Sequence, residues 1–426
     1  MPFSILGNQD NDRLYCTGSF TKLLTTYVCL SKLAENYDLN TIVDDPEFFD
    51  SIATTEQARS FLDIFQQVIG SNFSIRDICS YYTGLPYTFD ISEAEMDAVD
   101  AGKAFKHHSI MDEQAFLELC RHNITPVYAK QSKFHYSEIA IIFFGYFMEK
   151  VYDTPIETFY ADYIIDKFGL KNSHFSRTRL KNANEMDLSD HYDYPSIAIQ
   201  DHGYFCYSNG FFTTLNDEAT LLTGMLKTAV FKCMTDTTKA RAASPRLLNG
   251  LTIELRLVGD DIIYGYEGLS YSGCNLFAYS TKLQQGYVAF SYDEDAIYPY
   301  VYENFGYTDF DKIPQSNEVI YQKFIKSYAE PIERRPIPCE YRGSYQRVQI
   351  NEKQLEDQFS VDTHSITIRN PTIEQYEIVY AKNCYRILNK DRTHGLKVGF
   401  LTSKKGNRYM SYDGTLYKKI PQTQTA

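Results

Sequence analysis

The chain carries, close to its start, the stretch Thr17-Gly18-Ser19-Phe20-Thr21-Lys22-Leu23-Leu24. Ser19 and Lys22 are three residues apart, so on a helix they lie on the same face. Gly18 permits a tight entry into that helix, and Ser19 then stands where unpaired N–H groups favour negative charge on oxygen. A helix is predicted because apolar residues recur at three-to-four spacing, at Leu23, Leu24, Tyr27, Val28, Leu30, Leu33 and Ala34.

The pair Ser19 and Lys22 has two interpretations. An adjacent ammonium lowers the pKa of a serine, and a lysine that shares the serine proton can act as its base. Under this interpretation Ser19 is a nucleophile and Lys22 is its proton acceptor. The other interpretation is a solvated helix face, because a serine and a lysine meet this spacing often by chance. The rest of the chain has to decide between them.

Composition limits the class of protein. A length of 426 residues suggests two or three domains, at roughly 100–200 residues each. The formal net charge of −13 argues against binding to nucleic acid or to anionic membrane surfaces, since both need basic patches. The most apolar run, residues 139–148, is shorter than the ~20 residues that span a bilayer, so we expect a buried helix there and no membrane span.

The nine cysteines are scattered and show no C-x-x-C spacing. This pattern predicts free thiols in a reducing compartment, with neither a disulfide framework nor a metal site. The first residues lack a basic segment followed by a long apolar one, so no signal peptide is predicted. We therefore expect a cytoplasmic protein, or one exported without a signal peptide. No cofactor is expected.

Four further stretches follow Ser19-x-x-Lys22 in the chain. They are I-R-D-I-C-S-Y-Y-T-G-L-P at 75–86, F-H-Y-S-E at 134–138, F-G-L-K-N-S-H-F at 168–175 and F-C-Y-S-N-G-F-F-T-T-L-N-D at 205–217. Together and in this order they resemble segments of the serine beta-lactamase-like and penicillin-binding-protein-like family, in its class C beta-lactamase and esterase group. The chain is identified as a member of that family over roughly residues 1–305. The resemblance implies an α/β (α+β) fold, an antiparallel sheet flanked by helices.

The resemblance also implies roles for individual residues. Ser19 would be the nucleophile, Lys22 its proton acceptor, and Tyr136 a second acid/base whose phenolate the nearby ammonium favours. The family's third motif is a strand carrying K-T-G or H-x-G. We place it at Tyr271-Ser272-Gly273-Cys274, with Ser272 bonding the substrate and the backbone N–H groups of Ser19 and Cys274 holding the oxyanion.

Glu138 stands where the family usually has asparagine. A carboxylate at this position would pair with Lys22 and keep it protonated, which weakens the lysine as a base. It would alternatively be an extra general base, as a glutamate is in some beta-lactamases. The third possibility is a salt bridge that only holds the cleft together.

The start of the chain departs from the family as well. Members place two strands before the nucleophile, whereas only eighteen residues precede Ser19. We expect them to supply at most one short strand, at residues 13–16, and so a shortened or truncated N-terminal part of the sheet. The sheet would then have an exposed edge, which favours pairing with another chain and predicts a homo-oligomer.

Residues 306–338 contain several prolines and charged residues, and we interpret them as a linker. In 339–420, four segments alternate polar with apolar residues and are broken by turn signals, which predicts a small up-and-down β-barrel. It resembles the lipocalin-like domain that family members often carry after the hydrolase domain.

The predicted function is hydrolysis of an ester, amide or peptide bond in a small molecule or peptide, through an acyl-serine intermediate on Ser19. The competing hypothesis is a catalytically inactive relative that uses its cleft or its open sheet edge for binding and self-assembly. Covalent labelling of the serine would favour the first hypothesis. Absence of labelling together with self-assembly would favour the second.

Overall fold

The structure is a computed structural model. It describes residues 2–6, 11–91, 96–97, 100–101, 112–178, 202–244, 247–270, 272–291, 297, 301–306, 334–347, 358–370, 372–381, 384–388, 394–412 and 415–420. Two sequence predictions fall on other residues. Tyr271 and most of the predicted linker, residues 307–333, lie outside the described part of the chain.

The first three hundred residues form two sheets. The strands are β1 (Phe3–Leu6), β2 (Tyr15–Cys16), β3 (His174–Phe175), β4 (Phe211–Thr213), β5 (Arg241–Ser244), β6 (Leu247–Asn249), β7 (Glu254–Val258), β8 (Asp261–Ser270), β9 (Gly273–Ser280) and β10 (Gln285–Ser291). Seven of them make one sheet in the order β1-β10-β9-β8-β7-β6-β5, and β2-β4-β3 make a small second sheet. In the large sheet β1 runs parallel to β10, and the other neighbours are antiparallel. This confirms the predicted mixed fold.

Helices cover the sheet. They are α1 (Phe20–Leu33), α2 (Leu39–Ile42), α3 (Phe48–Ile52), α4 (Glu56–Ile69), α5 (Ile75–Cys79), α6 (Glu113–His122), α7 (Glu138–Tyr152), α8 (Ile156–Tyr160), α9 (Asp166–Phe168), α10 (Cys206–Asn209), α11 (Leu215–Met225) and α12 (Ala229–Met234), with short π and 3-10 turns at Ala161–Ile165, Gly203–Phe205 and Cys339–Tyr341. Several begin at a hydroxyl or carboxylate that accepts a backbone N–H of the first turn. Ser74 and Asp77 form a reciprocal capping box that starts α5.

The central helix is α1, and it is more deeply buried than its spacing predicted. Thirteen of its fourteen residues are buried, because α7 and α10 pack on it from one side and β8 from the other. The apolar run at 139–148 lies within α7 and is buried throughout, as predicted. The start of α1, which carries Ser19, is therefore fixed between a helical layer and the sheet.

The expectation of one short strand before Ser19 was wrong. Two strands precede it, because β1 adds to the sheet beside β10 in addition to β2. Phe3 secures β1 by packing its ring on those of Phe277 and Tyr279. Among the described strands, β1 has no second neighbour and forms one edge of the sheet. Assembly through this edge stays a prediction.

The C-terminal part is a closed barrel of eight strands in chain order. They are β11 (Gly343–Arg347), β12 (Gln358–Val361), β13 (Ser365–Asn370), β14 (Thr372–Ala381), β15 (Cys384–Leu388), β16 (His394–Thr402), β17 (Arg408–Tyr412) and β18 (Thr415–Lys419). Buried apolar side chains fill it, among them Tyr345, Phe359, Ile366, Ile378, Val398 and Met410. Closure leaves no free strand edge, and it confirms the predicted small β-barrel.

The barrel contacts the N-terminal part of the chain through a buried carboxylate. The side chain of Asp100 is fully buried and accepts hydrogen bonds from Asn407 Nδ2 at 2.7 Å and from the Tyr409 hydroxyl. Nearby, Ile91 and Met96 form a small apolar cluster with barrel residues. In the described part of the chain, no helix is both long and apolar enough to cross a bilayer.

Replacing Asp100 by alanine should loosen the barrel. The change leaves the half-buried amide of Asn407 and the buried Tyr409 side chain without their acceptor, which should cost about 2–3 kcal/mol of unfolding free energy. The measurement is denaturant unfolding together with hydrogen exchange of β17. Asp97→Ala is the matched control, because Asp97 pairs with the exposed Lys404 and should cost at most about 1 kcal/mol. Equal effects of the two changes would contradict the docking role of Asp100.

Candidate active site

Ser19 stands at the entry to α1, one residue before the helix begins at Phe20. The small sheet holds this entry in place, because the Thr17 backbone N–H and hydroxyl both donate to the Phe211 carbonyl, at 2.9 and 3.0 Å. Gly18 adopts a φ of +51°, a left-handed conformation that strains other residues. The tight entry predicted for Gly18 is therefore present.

Strand β8 runs directly against this entry. A Cβ on Gly18 would lie 2.2 Å from the Leu269 carbonyl oxygen, and a Cβ on Gly268 would lie 1.8 Å from the Thr17 carbonyl oxygen. Both distances are far below van der Waals contact. Glycine at the two positions therefore lets the backbone of Leu269 lie beside that of Ser19.

The ammonium of Lys22 joins the candidate catalytic groups. Lys22 Nζ donates to Ser19 Oγ at 2.8 Å and to Glu138 Oε1 at 3.2 Å, and it lies 5.1 Å from the centre of the Tyr136 ring. The Lys22 side chain is fully buried. The structure thus brings together Ser19, Lys22, Tyr136 and Glu138, the four residues that the sequence placed at one site.

The groups next to Lys22 determine its protonation state. Burial by itself lowers the pKa of Lys22, but the charges and hydrogen bonds of Tyr136 and Glu138 outweigh burial and raise that pKa above its usual range. Lys22 is therefore an ammonium at neutral pH. It reaches Ser19 as a hydrogen-bond donor.

Glu138 is the first residue of α7 and is almost fully buried. The Ser137 hydroxyl caps this helix by accepting the Ala140 backbone N–H. Glu138 Oε1 also accepts a hydrogen bond from Asn209 Nδ2 at 3.3 Å. No role was predicted for Asn209, although it lies in the quoted 205–217 stretch just before Gly210.

Phenolic side chains form the next layer of the site. The hydroxyls of Tyr81 and Tyr266 are 3.0 Å apart, and the Tyr136 ring packs 5.0 Å from that of Tyr81. Burial, together with the charge of Tyr136, raises the pKa of both Tyr81 and Tyr266, so both stay neutral. The sequence analysis assigned no role to Tyr266, although Tyr266-Glu267-Gly268 comes directly after a short apolar segment that is typical of a strand.

Three of the four residues predicted for the third motif are described, and each of them contacts a group other than Ser19. The Ser272 hydroxyl is buried and accepts the Cys16 backbone N–H at 3.0 Å, while Gly273 packs on the Phe290 ring and Cys274 is buried opposite Leu269. The chain turns between β8 and β9, so these residues fall on the strand behind the site. The strand beside Ser19 carries residues 266–269 instead.

A cavity of about 270 Å³ opens beside Ser19. Its apolar and aromatic walls are Tyr81, Phe134, Tyr136, Leu247, Tyr266 and Leu269, and its other polar groups are Asn249, Glu254 and Glu267. Ser272, Gly273 and Cys274 do not line it. Aromatic walls with a few converging polar groups are typical of small-molecule sites.

Replacing Gly18 by alanine should destabilise the protein by more than the backbone strain of a left-handed alanine alone. Gly259 is the matched control, because its φ of +61° is similarly left-handed but a Cβ there meets nothing within 4 Å. Gly259→Ala should cost about 1 kcal/mol of unfolding free energy. Gly18→Ala should cost at least about 2 kcal/mol more, by overpacking against β8. Thermal or denaturant unfolding measures both, and equal costs would contradict the close approach.

Comparisons with known proteins identify the family and the fold. The family model described as Beta-lactamase matches residues 8–278, whereas no curated protein sequence matches the chain. Among solved structures, the octameric penicillin-binding protein homologue from Pyrococcus abyssi is similar, with 15% identity, a TM-score of 0.51 and coverage of 96% of this chain and 89% of that one. SurE has 12% identity, a TM-score of 0.52 and coverage of 97% and 89%.

A class C beta-lactamase has 11% identity and a TM-score of 0.52, and the match covers 70% of this chain and 84% of that one. At such identities the likeness to solved structures shows the fold alone. The family model, in contrast, spans more than half of the sequence and includes Ser19, Lys22, Tyr136 and Glu138. On that match, the chain belongs to the beta-lactamase family.

Proposed function

We propose that the protein is a serine hydrolase that cleaves an ester, amide or peptide bond through an acyl-serine intermediate on Ser19. The observation that carries this proposal is the 2.8 Å hydrogen bond from Lys22 Nζ to Ser19 Oγ, made at the wall of a cavity that Ser19 and Tyr136 both line. A solvated helix face, the other interpretation of this pair, does not suit a lysine that is fully buried.

The charge of Lys22 determines which of Lys22 and Tyr136 accepts the serine proton. A lysine that is already an ammonium cannot take the serine proton, but it stabilises the alkoxide that forms on Ser19. We therefore assign proton acceptance to Tyr136 and electrostatic stabilisation to Lys22. Glu138 keeps Lys22 charged, which favours the first of the three roles considered for this carboxylate.

The reaction then has two balanced steps. In acylation, Ser19 Oγ bonds to the carbonyl carbon, the bond to the leaving group breaks, and the serine proton passes through Tyr136 to that leaving group. In deacylation, a water oxygen bonds to the same carbon, the Oγ–carbon bond breaks, and a water proton returns to Ser19. The backbone N–H groups of Ser19 and Leu269 are the proposed oxyanion donors, since the two backbones lie side by side.

The free thiols of the cysteines are evidence about the cellular compartment in which the protein works. The eight whose side chains are described are free, and all except Cys339 are buried. Free thiols persist where the surroundings are reducing. This supports a cytoplasmic location in our proposal, with export by a route that needs no signal peptide as the alternative.

Labelling with an uncharged fluorophosphonate tests the nucleophile. Intact-mass analysis should show one adduct on the wild type and none on Ser19→Ala. Lys22→Ala and Tyr136→Phe should each label at least about a hundredfold more slowly, because the first removes the charge that stabilises the alkoxide and the second removes the proton acceptor. Ser31→Ala, a buried serine on the same helix, is the matched control and should label normally.

An adduct that persists in Ser19→Ala would exclude Ser19 as the nucleophile. No adduct on the folded wild type would favour the second hypothesis, a binding or self-assembling protein. Two observations are compatible with that second role: β1 lies at a sheet edge, and one structurally similar penicillin-binding protein homologue is octameric.

Glu138→Gln should shift the pH profile of hydrolysis. The change removes one of the negative neighbours that raise the pKa of Lys22. The pKa of the lysine should therefore fall, and the alkaline limb of kcat/KM should move to lower pH. Glu149→Gln is the control, because Glu149 is a carboxylate on the same helix that pairs with Arg177 instead. An alkaline limb that stays in place in Glu138→Gln would contradict the assigned role.

A further inference from the structure

Three tyrosines meet in the wall of the cavity beside Ser19. We propose that Tyr81 is a positioning residue that acts through Tyr266 to stabilise the phenolate of Tyr136. The inference rests on the proposed function, in which Tyr136 accepts the serine proton, and it names two residues that support this step. Its first observation is the contact between the hydroxyls of Tyr81 and Tyr266, which are 3.0 Å apart.

The backbone of Tyr81 adopts a conformation that is unusual for a large side chain. Its φ is +60°, in the left-handed region that residues other than glycine rarely enter. Such a conformation costs free energy and persists only where the surrounding structure imposes it, most often at functional sites. The contacts of Tyr81 give the geometry that this strain maintains.

Tyr81 contacts the segment that carries Tyr136 through its backbone and through its ring. The Tyr81 carbonyl accepts the His135 backbone N–H at 2.9 Å, one residue before Tyr136. The rings of Tyr81 and Tyr136 pack with their centres 5.0 Å apart, and the Tyr81 side chain is fully buried. Tyr81 therefore fixes the Tyr136 segment while its hydroxyl reaches Tyr266 on β8.

The end of α5, just before Tyr81, is anchored to the helix that carries Lys22. The Cys79 carbonyl accepts the backbone N–H of Thr252 at 2.7 Å and its hydroxyl at 3.1 Å, and Thr252 Oγ1 accepts the Thr26 hydroxyl at 2.8 Å. Thr26 lies one turn after Lys22 on α1, and both side chains are fully buried. Thr252 also has a left-handed φ, of +57°. This strained turn therefore helps to hold Tyr81 in a fixed position relative to Lys22.

Tyr266 connects the Tyr81 hydroxyl to Tyr136. The Tyr266 hydroxyl forms hydrogen bonds with those of both Tyr81 and Tyr136. Burial, together with the charge of Tyr136, raises the pKa of Tyr81 and of Tyr266, so both keep their protons when Tyr136 has lost its own. A phenol has one proton to donate. The Tyr266 proton is therefore directed to the Tyr136 oxygen, and the Tyr266 oxygen accepts the proton of Tyr81.

Tyr81 and Tyr266 act on Tyr136 through this chain of hydrogen bonds. A phenolate is stabilised by hydrogen bonds to its oxygen, and a donor that itself accepts a hydrogen bond becomes a stronger donor. Loss of the Tyr81 hydroxyl should therefore weaken the Tyr266 donor. The serine proton still adds to Tyr136 and passes to the leaving group, and no proton leaves Tyr81 or Tyr266.

A double-mutant cycle of Tyr81→Phe, Tyr266→Phe and the combined variant tests the proposal, because each change removes a hydroxyl and keeps the ring. Tyr81→Phe should move the acid limb of kcat/KM to higher pH by about one pH unit, a tenfold loss below that limb, with recovery of the rate at higher pH. Tyr266→Phe should move it at least as far. The combined variant should match Tyr266→Phe alone, because Tyr81 acts through Tyr266. Additive shifts, or an unmoved limb in Tyr81→Phe, would overturn the inference.

Tyr160→Phe is the matched control. Tyr160 is also fully buried, and its hydroxyl is paired with that of Thr25 on α1 at 2.8 Å, but Tyr160 does not line the cavity. Its change should lower the unfolding midpoint, as Tyr81→Phe does, and leave the pH profile where it is. An equal displacement of the acid limb in Tyr160→Phe would mean that loss of any buried hydroxyl causes the effect, and the inference would fail.

A titration by nuclear magnetic resonance separates this inference from the proposed hydrolase. Tyrosines labelled with carbon-13 at Cζ report their own ionisation, and the signal of Tyr136 is the one that Tyr136→Phe removes. Ionisation of Tyr136 should require a higher pH in Tyr81→Phe and stay in place in Tyr160→Phe. If the wild type gives no fluorophosphonate adduct, the proposed function fails, and this titration still decides the inference. An unchanged Tyr136 titration in Tyr81→Phe would overturn the inference and leave the hydrolase intact.

Discussion

The burial of one ammonium group constrains the whole site. Taking a lysine charge out of water costs several kcal/mol unless close partners compensate, and the Lys22 side chain is fully buried. Its partners come from different elements: Ser19 from the entry to α1, and Tyr136 and Glu138 from the segment that starts α7. The two helices therefore have to meet at their N-terminal ends. The long apolar face of α7 packs on α1 and supplies the energy that holds them there.

Much of this arrangement is predictable from local sequence signals. Apolar periodicity placed α1, the apolar run at 139–148 placed α7, and alternation broken by turn residues placed the barrel. The strand that lies beside Ser19 was not predictable locally, because residues 261–280 contain Tyr-x-Gly twice, at Tyr266-Glu267-Gly268 and at Tyr271-Ser272-Gly273. Only the approach of Gly268 to the Thr17 carbonyl distinguishes them, and that contact depends on how β8 packs against a segment some 250 residues earlier. The pairing of β1 with β10 was missed for the same reason.

The barrel contacts the N-terminal part of the chain at residues that do not line the cavity. Arg386 of β15 is fully buried and donates through Nη2 to the Pro126 carbonyl at 2.9 Å. The segment from Pro126 leads directly to His135 and Tyr136. Burial, with the nearby charges of Lys133 and Arg386, lowers the pKa of His135 to about 4. The residue before Tyr136 is therefore neutral at physiological pH, and it adds no positive charge to that of Lys22 beside the Tyr136 ring.

The two sets of charges around Ser19 can serve different purposes because burial separates them. Lys22 and Glu138 are almost completely shielded from water, so their mutual attraction is strong and keeps Lys22 charged. Glu254 and Glu267 line the cavity instead, where water weakens the field of a carboxylate. The charge of Lys22 is therefore set by its buried partners and depends little on what enters the cavity.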